Sequence, residues 1–120
     1  MFVHYLITRF NTCMDSNWKT DQNFLIDDDW LHYRFQLFIK YTLPSIKRQS
    51  NQNFKYIILM NPDTPKKYKI LLEALKIKVI FTDYGYGSDL KNFLKNDCDK
   101  DVIITSALDN DDIIDCNYID

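Results

Sequence analysis

The residues most suited to chemistry form an acidic segment, Asp109-Asn110-Asp111-Asp112, near the end of the 120-residue chain. This segment follows the apolar run Val102-Ile103-Ile104-Thr105, which predicts a buried strand. Because carboxylates do not continue into an apolar core, they should emerge at the carboxyl end of that strand. Asp109 and Asp111 are separated by Asn110 and could turn their oxygens toward one divalent ion. Water and substrate phosphates would complete the coordination shell of that ion. The segment therefore predicts a metal and diphosphate site.

A simpler interpretation of the same aspartates is a turn or a helix cap, which aspartate forms readily. A calcium-binding EF-hand is excluded, because Ile113 takes the fifth loop position and Ile114 the place of the required glycine. A second acidic triple, Asp27-Asp28-Asp29, precedes Trp30 at the expected start of a helix. Capping of that helix, rather than metal binding, is the expected role of this triple.

Apolar runs and helical patterns alternate along the chain. Strands are predicted at 2–8, 54–60, 78–82 and 102–105, and helices at Trp30 onward, at Pro65 onward and at Ser88 onward. Pro44 should end the first helix or open a second short turn, and Ile113-Ile114 could begin another helix. Such alternation predicts an α/β fold with a mostly parallel sheet and right-handed crossovers.

Polar residues follow each predicted strand, at Thr8-Arg9-Phe10-Asn11, Asn61-Pro62-Asp63, 83–87 and 109–112. The carboxyl ends of parallel strands share one edge of a sheet, so these segments could build one pocket. Arg9 could meet a phosphate with its planar fork or form an ordinary surface salt bridge. Asp63 could accept hydrogen bonds from a base or ribose, or cap its proline-flanked turn.

Composition predicts one globular domain over 1–120, with 46% apolar residues, 27% charged residues and a net charge of -2. This charge gives no basis for nucleic-acid binding, which depends on a basic surface. The three cysteines are widely separated, so neither a disulfide framework nor a zinc site is expected. The same cysteine usage fits the reducing cytoplasm, which is the expected location. No apolar stretch approaches the roughly 20 residues of a membrane span.

Several segments together resemble the putative rhamnosyltransferase family, which is similar to GT-A nucleotide-sugar glycosyltransferases. These segments are Phe2-Val3 with Leu6 to Asn11, Trp30-Leu31 with Arg34 and Leu37-Phe38, Thr42 to Ile46 with Gln49, and Ile104 to Asp112. The resemblance implies a Rossmann-like GT-A fold that binds a nucleoside-diphosphate sugar and serves a carbohydrate or glycoconjugate acceptor.

On that resemblance, Asp109 and Asp111 correspond to the family's Asp-x-Asp motif. Asp111 would hold Mn²⁺ or Mg²⁺, and Asp109 would contact the ribose or the metal. The nucleotide pocket would be lined by Thr8, Arg9, Asn11 and Asp63.

Two departures from the family pattern bear on activity. Ala107 stands where the family usually has arginine, and the chain continues only eight residues beyond Asp112. The resemblance thus identifies a donor-binding half, and we expect self-association or a complementing chain to cover its exposed edge and helix faces.

Two other functions are weighed against transfer. A non-catalytic nucleotide-sugar or metal-binding remnant is the alternative. A phosphoacceptor receiver domain is disfavoured, because the first strand is followed by Arg9-Phe10-Asn11 and no lysine follows 102–105.

Overall fold

The computed structural model describes residues 2–12, 26–82, 88–97, 102–110 and 112–119. Its strands are β1 (Phe2–Arg9), β2 (Lys55–Met60), β3 (Lys78–Phe81) and β4 (Val102–Ala107). Its helices are α1 (Asp28–Leu37), the π-helical segment Phe38–Thr42, α2 (Leu43–Lys47), α3 (Lys66–Ala74) and α4 (Ser88–Asp97). The predicted alternation of strands and helices is confirmed.

The four strands form one parallel sheet in the order β3-β2-β1-β4. The chain runs outward from β1 through β2 to β3 and then returns to place β4 on the other side of β1. The strand order therefore reverses between β1 and β4. In open α/β sheets, ligands bind in the crevice outside the carboxyl ends of the strands at such a point. The arrangement is the expected Rossmann-like α/β fold.

Alternate residues of the central strands pack against opposite helical layers. On one face, Ile58 and Met60 of β2 pack with residues of α1, the π-helical segment and α3. On the other face, Tyr5 and Ile7 of β1 pack with Leu90 of α4. This two-residue period is what a strand buried on both faces requires. Burying each large apolar side chain contributes about 1.5–3 kcal/mol, so these two layers supply most of the driving force for folding.

The helical stretch from Asp28 to Lys47 is started and reshaped by single residues. The Asp27 carboxylate accepts the Trp30 amide at 3.0 Å, which confirms the predicted cap. Pro44 has no amide hydrogen and its ring would clash with a carbonyl one turn earlier. The backbone widens before it, and the Leu43 amide donates to the Phe38 carbonyl five residues back. The stretch then continues as α2, which fits the expected second short turn.

Two expectations were wrong. β4 forms, but it is not buried: Val102 is 52% exposed, because the strand lies at the edge of the described sheet and none of its residues joins the apolar clusters that pack β1 and β2 against helices. No helix begins at Ile113-Ile114, and 112–119 contains neither helix nor strand. The buried Gln49 side chain donates to the Asp115 carbonyl at 2.7 Å and accepts the Ile119 amide at 3.1 Å. The backbone of this segment is thus bonded to Gln49, two residues beyond α2, and does not form a helix of its own.

The described residues include one of the three cysteines. Cys116 is exposed and unpaired, while Cys13, Cys98 and the segment 83–87 lie outside the described residues. No helix in the described ranges has the length and apolar character needed to cross a membrane.

Candidate functional site

The ends of β1, β2 and β4 meet at one edge of the sheet and are bonded to one another. The Phe10 amide donates to the Leu59 carbonyl at 2.9 Å, and the Leu108 amide donates to the Ile7 carbonyl at 2.9 Å. Parallel pairing therefore continues to the last residues of these strands. The segments that follow β1, β2 and β4, which carry the predicted site residues, start side by side.

Asn11 fixes the segment after β1 against the segment after β2. Its side chain is 1% exposed, its Oδ1 accepts the Asn61 amide at 3.0 Å, and its Nδ2 donates to the Thr64 hydroxyl at 2.7 Å. Thr64 in turn donates to the Asn61 carbonyl at 2.7 Å. Both ends of the Asn11 amide are thus engaged within the protein, and its role in this edge is to position the loops.

Asn110 performs the same task between β4 and β1, and it was not among the predicted site residues. The side chain is 3% exposed, and its Nδ2 donates to the Phe10 carbonyl at 3.0 Å. The Thr42 hydroxyl donates to the Asn110 carbonyl at 3.0 Å. The sequence does offer a signal for Asn110, because it is the one uncharged residue among the aspartates of 109–112. Its long-range partners, Phe10 and Thr42, could not be inferred from the sequence.

Three buried polar atoms at this edge have no hydrogen-bond partner in the described structure. They are Arg9 Nη1, Thr12 Oγ1 and Asn110 Oδ1. Because the Asn110 Nδ2 donates to the Phe10 carbonyl, its Oδ1 is the acceptor end of the amide and remains without a donor among the described residues. Because buried polar groups are nearly always hydrogen-bonded, each such atom in a native structure calls for an explanation. Arg9 ends β1, Thr12 follows it and Asn110 follows β4, and these two strands flank the reversal of strand order.

Thr8 lies beneath this edge and not on its surface. Its side chain is completely buried, and its hydroxyl accepts a 2.6 Å hydrogen bond from the Tyr56 phenol. Burial raises the pKa of Tyr56, so that phenol remains a donor at physiological pH. Of the predicted site residues, Thr8 and Asn11 are therefore committed to internal hydrogen bonds.

The acidic segment begins with a turn. The Asp112 amide donates to the Asp109 carbonyl, and the Asp109 amide donates to the Asp112 carboxylate, both at 3.3 Å. Asp112 thus has the turn role that the simpler interpretation gave to these aspartates. The exposed Asp109 carboxylate makes no hydrogen bond within the described ranges, and Asp111 lies outside them. Among described residues, no group of three histidine, cysteine or acidic side chains could hold a metal.

Asp63 and the acidic triple before α1 have different fates. Asp63 is exposed, and its turn is stabilised by Asn61, whose Oδ1 accepts the Asp63 amide at 2.8 Å. The capping role considered for Asp63 is therefore filled by Asn61. Asp28 pairs with Lys67 and accepts the Tyr68 phenol at 2.9 Å. The Lys67 hydrogen bond is the main reason that the pKa of Asp28 is lowered, so this triple serves α1 and α3.

Comparison with known proteins identifies a family. A family model described as putative rhamnosyl transferase matches residues 3–120. No curated protein and no solved structure matches the chain.

Proposed function

This chain belongs to the putative rhamnosyl transferase family, and from that premise we propose that it binds a nucleoside-diphosphate sugar between the carboxyl ends of β1 and β4. The reaction would be glycosyl transfer on a GT-A-type domain. The bond between the sugar and its diphosphate breaks, and a bond to an acceptor hydroxyl of a carbohydrate or glycoconjugate forms. The reducing cytoplasm is the proposed location, because the cysteines give no disulfide framework.

One observation carries this proposal: Arg9, Thr12 and Asn110, which end or follow β1 and β4, each have a buried polar atom without a hydrogen-bond partner in the described structure. Arg9 Nη1 is a donor that suits a phosphate oxygen, and Asn110 Oδ1 is an acceptor that suits a ribose hydroxyl. Asp63 is exposed after the neighbouring strand β2 and would accept from the base or ribose. Thr8 and Asn11, whose side chains are internally bonded, would shape the pocket around the nucleotide.

Asp109 and Asp111 would hold the divalent ion, with Mn²⁺ or Mg²⁺ as the proposed cofactor. The chemistry of the donor set fits these ions, which prefer carboxylate and water oxygens. The Asp109 carboxylate is exposed and not used by the turn, whose bonds come from its backbone and from Asp112. When bound, the ion would neutralise the diphosphate leaving group.

A thermal-shift panel tests donor binding. UDP, GDP and dTDP are added with and without Mn²⁺ to the wild type, Asp109→Asn and Asp111→Asn. At about ten times its dissociation constant, a ligand should stabilise the fold by about 1.4 kcal/mol, or several degrees. We expect a Mn²⁺-dependent shift for one nucleotide that both variants lose. The control Asp89→Asn removes an exposed carboxylate from the first turn of α4 and should keep it.

Turnover distinguishes transfer from the alternative of a non-catalytic binding remnant. The substitution that favours the remnant is Ala107, which stands at the end of β4 where the family usually has arginine. Sugar release from the donor, followed by chromatography, would support the enzyme. Binding of the nucleotide without any release, both alone and with a carbohydrate acceptor, would support the remnant.

A further inference from the structure

A cavity with charged and aromatic lining residues lies at the edge of the sheet opposite the candidate site, and we propose that it binds a phosphate monoester. Its volume is about 360 Å³, and its cationic lining residues are Lys55, Lys76 and Lys78. Lys55 and Lys78 are the first residues of β2 and β3. The cavity is therefore separated from the carboxyl ends of the strands by the length of β2, about 17 Å for six residues.

Positive charge in this cavity exceeds negative charge. Asp97, at the end of α4, contributes the carboxylate among the described lining residues. It accepts the Tyr5 phenol at 2.7 Å and the Lys55 ammonium at 2.9 Å. The charge of Lys55 therefore has a structural role, since its bond to Asp97 joins the sheet to α4. Lys76 and Lys78 form no salt bridge in the described part of the chain, and a concave site with excess charge attracts counter-ions.

The backbone at Lys76 adds an independent observation. Its φ of 59° is left-handed, and within the described ranges it is the sole non-glycine residue with positive φ. It ends α3 in a Schellman motif, in which the Ile77 amide donates to the Leu72 carbonyl at 3.2 Å and the Lys76 amide to the Glu73 carbonyl at 2.9 Å. Glycine is the usual residue at this position because it adopts that conformation without strain. A lysine there keeps a strained backbone and adds a cation to the cavity.

Aromatic rings hold two of the ammonium groups in place. The Lys78 ammonium lies 5.3 Å from the centre of the Phe93 ring, and the Lys55 ammonium lies 5.8 Å from that of Tyr5. Such contacts restrict the ammonium groups while leaving their other donors available. The apolar ring walls and the cavity volume, at the lower end of the range for small-ligand pockets, suit the organic part of a small phosphate ester.

The test is a calorimetric titration with inorganic phosphate and with a hexose 1-phosphate, each against chloride at equal ionic strength. We expect saturable binding of both, with the ester tighter because it also contacts the rings. Lys78→Gln should weaken binding about tenfold, as expected for loss of a charged hydrogen bond. Lys95→Gln removes an exposed lysine from α4 and should leave binding unchanged.

Lys76→Gly makes the test decisive, because this substitution should raise the melting temperature while it removes the cation. A more stable protein that binds the ester about tenfold more weakly would support the site. A more stable protein that binds as tightly as wild type would overturn it, as would absence of saturable binding by wild type. Both lysine variants should retain any nucleotide-dependent thermal shift, since the carboxyl ends of the strands are distant.

Discussion

Two adjacent strands of the same sheet, β1 and β4, differ sharply in burial although both are apolar in sequence. They pair in register from Phe2 with Val102 to Ile7 with Ala107. Yet Leu6 of β1 is fully buried, whereas Ile104 of β4 is 39% exposed. β1 has a strand on each side and packs against helices on both faces, while β4 has β1 on one side and, among the described residues, no side chain in the apolar clusters that pack against helices. An apolar β-branched run thus predicts a strand, but its place in the sheet determines its burial.

The difference in burial between β1 and β4 does not extend to the segments that follow them. Directly after β4, Leu108 is 7% exposed and packs with Leu6 and Ile46, and Asn110 is anchored to Phe10. The exposed strand therefore delivers its acidic segment to a fixed position beside the end of β1. We expect the two strands to respond very differently to truncation while the segments that follow them respond alike.

The largest expected effect is on the core of β1. Ile7→Ala should lower the free energy of unfolding by about 2–5 kcal/mol, because it leaves a cavity at a side chain that is 1% exposed. Ile104→Ala on β4 should cost less than about 1 kcal/mol, since its side chain loses little burial. Urea unfolding measures both, and equal losses would contradict the assigned edge position of β4.

The next effect concerns the two asparagines that tie the strand ends together. Asn11→Ala leaves the Asn61 amide and the Thr64 hydroxyl without that partner, and Asn110→Ala does so for the Phe10 carbonyl. Each variant should lose about 1–3 kcal/mol, the penalty for unsatisfied buried groups. Asn92→Ala, at an exposed position of α4, is the matched control. Losses no greater than in that control would show that the ties do not hold the edge.

The hydrogen bonds of Asn11 and Asn110 illustrate which structural features can be predicted from the sequence and which cannot. Strands, helices and the Asp27 cap follow from local patterns, because each depends on neighbours along the chain. Strand order, the internal roles of Asn11 and Asn110, and the exposure of β4 depend on contacts between residues 50 or more positions apart. The helix expected at Ile113 does not form for the same reason, since Gln49, just beyond α2, binds that segment.

A smaller effect depends on pH and involves β1 and β2 but not β4. The Tyr5 hydrogen bond, followed by that of Lys55, lowers the pKa of Asp97 below its ordinary value. The stability it contributes is therefore present above the unfolded pKa, about 3.9, and is lost as the pH falls through the folded value. Asp97→Asn should reduce stability at pH 7 by less than about 1 kcal/mol, with the difference shrinking at pH 3. Urea titrations at both pH values measure this, and a difference that grew on acidification would contradict the assigned hydrogen bonds.

The smallest effect on stability is expected at the β4 edge, where a substitution should instead change self-association. Val102, Ile103 and Ile104 are exposed on the strand at the edge of the described sheet, and an exposed apolar edge favours association with another strand. Ile104→Lys should shift the protein toward monomer in a sizing column with stability changed by less than about 0.5 kcal/mol. A wild-type chain that remains monomeric at high concentration would contradict the expected self-association.

The most direct test of the donor site uses Mn²⁺ as a paramagnetic probe. The ion is titrated into ¹⁵N-labelled protein in the presence of the nucleotide selected by the thermal-shift panel. Amide signals in 8–12 and 108–112 should broaden first, and Asp109→Asn should abolish this pattern. Broadening that begins around Asp97 or Asp27–Asp29, or uniformly at high Mn²⁺, would contradict a metal and diphosphate site between the ends of β1 and β4.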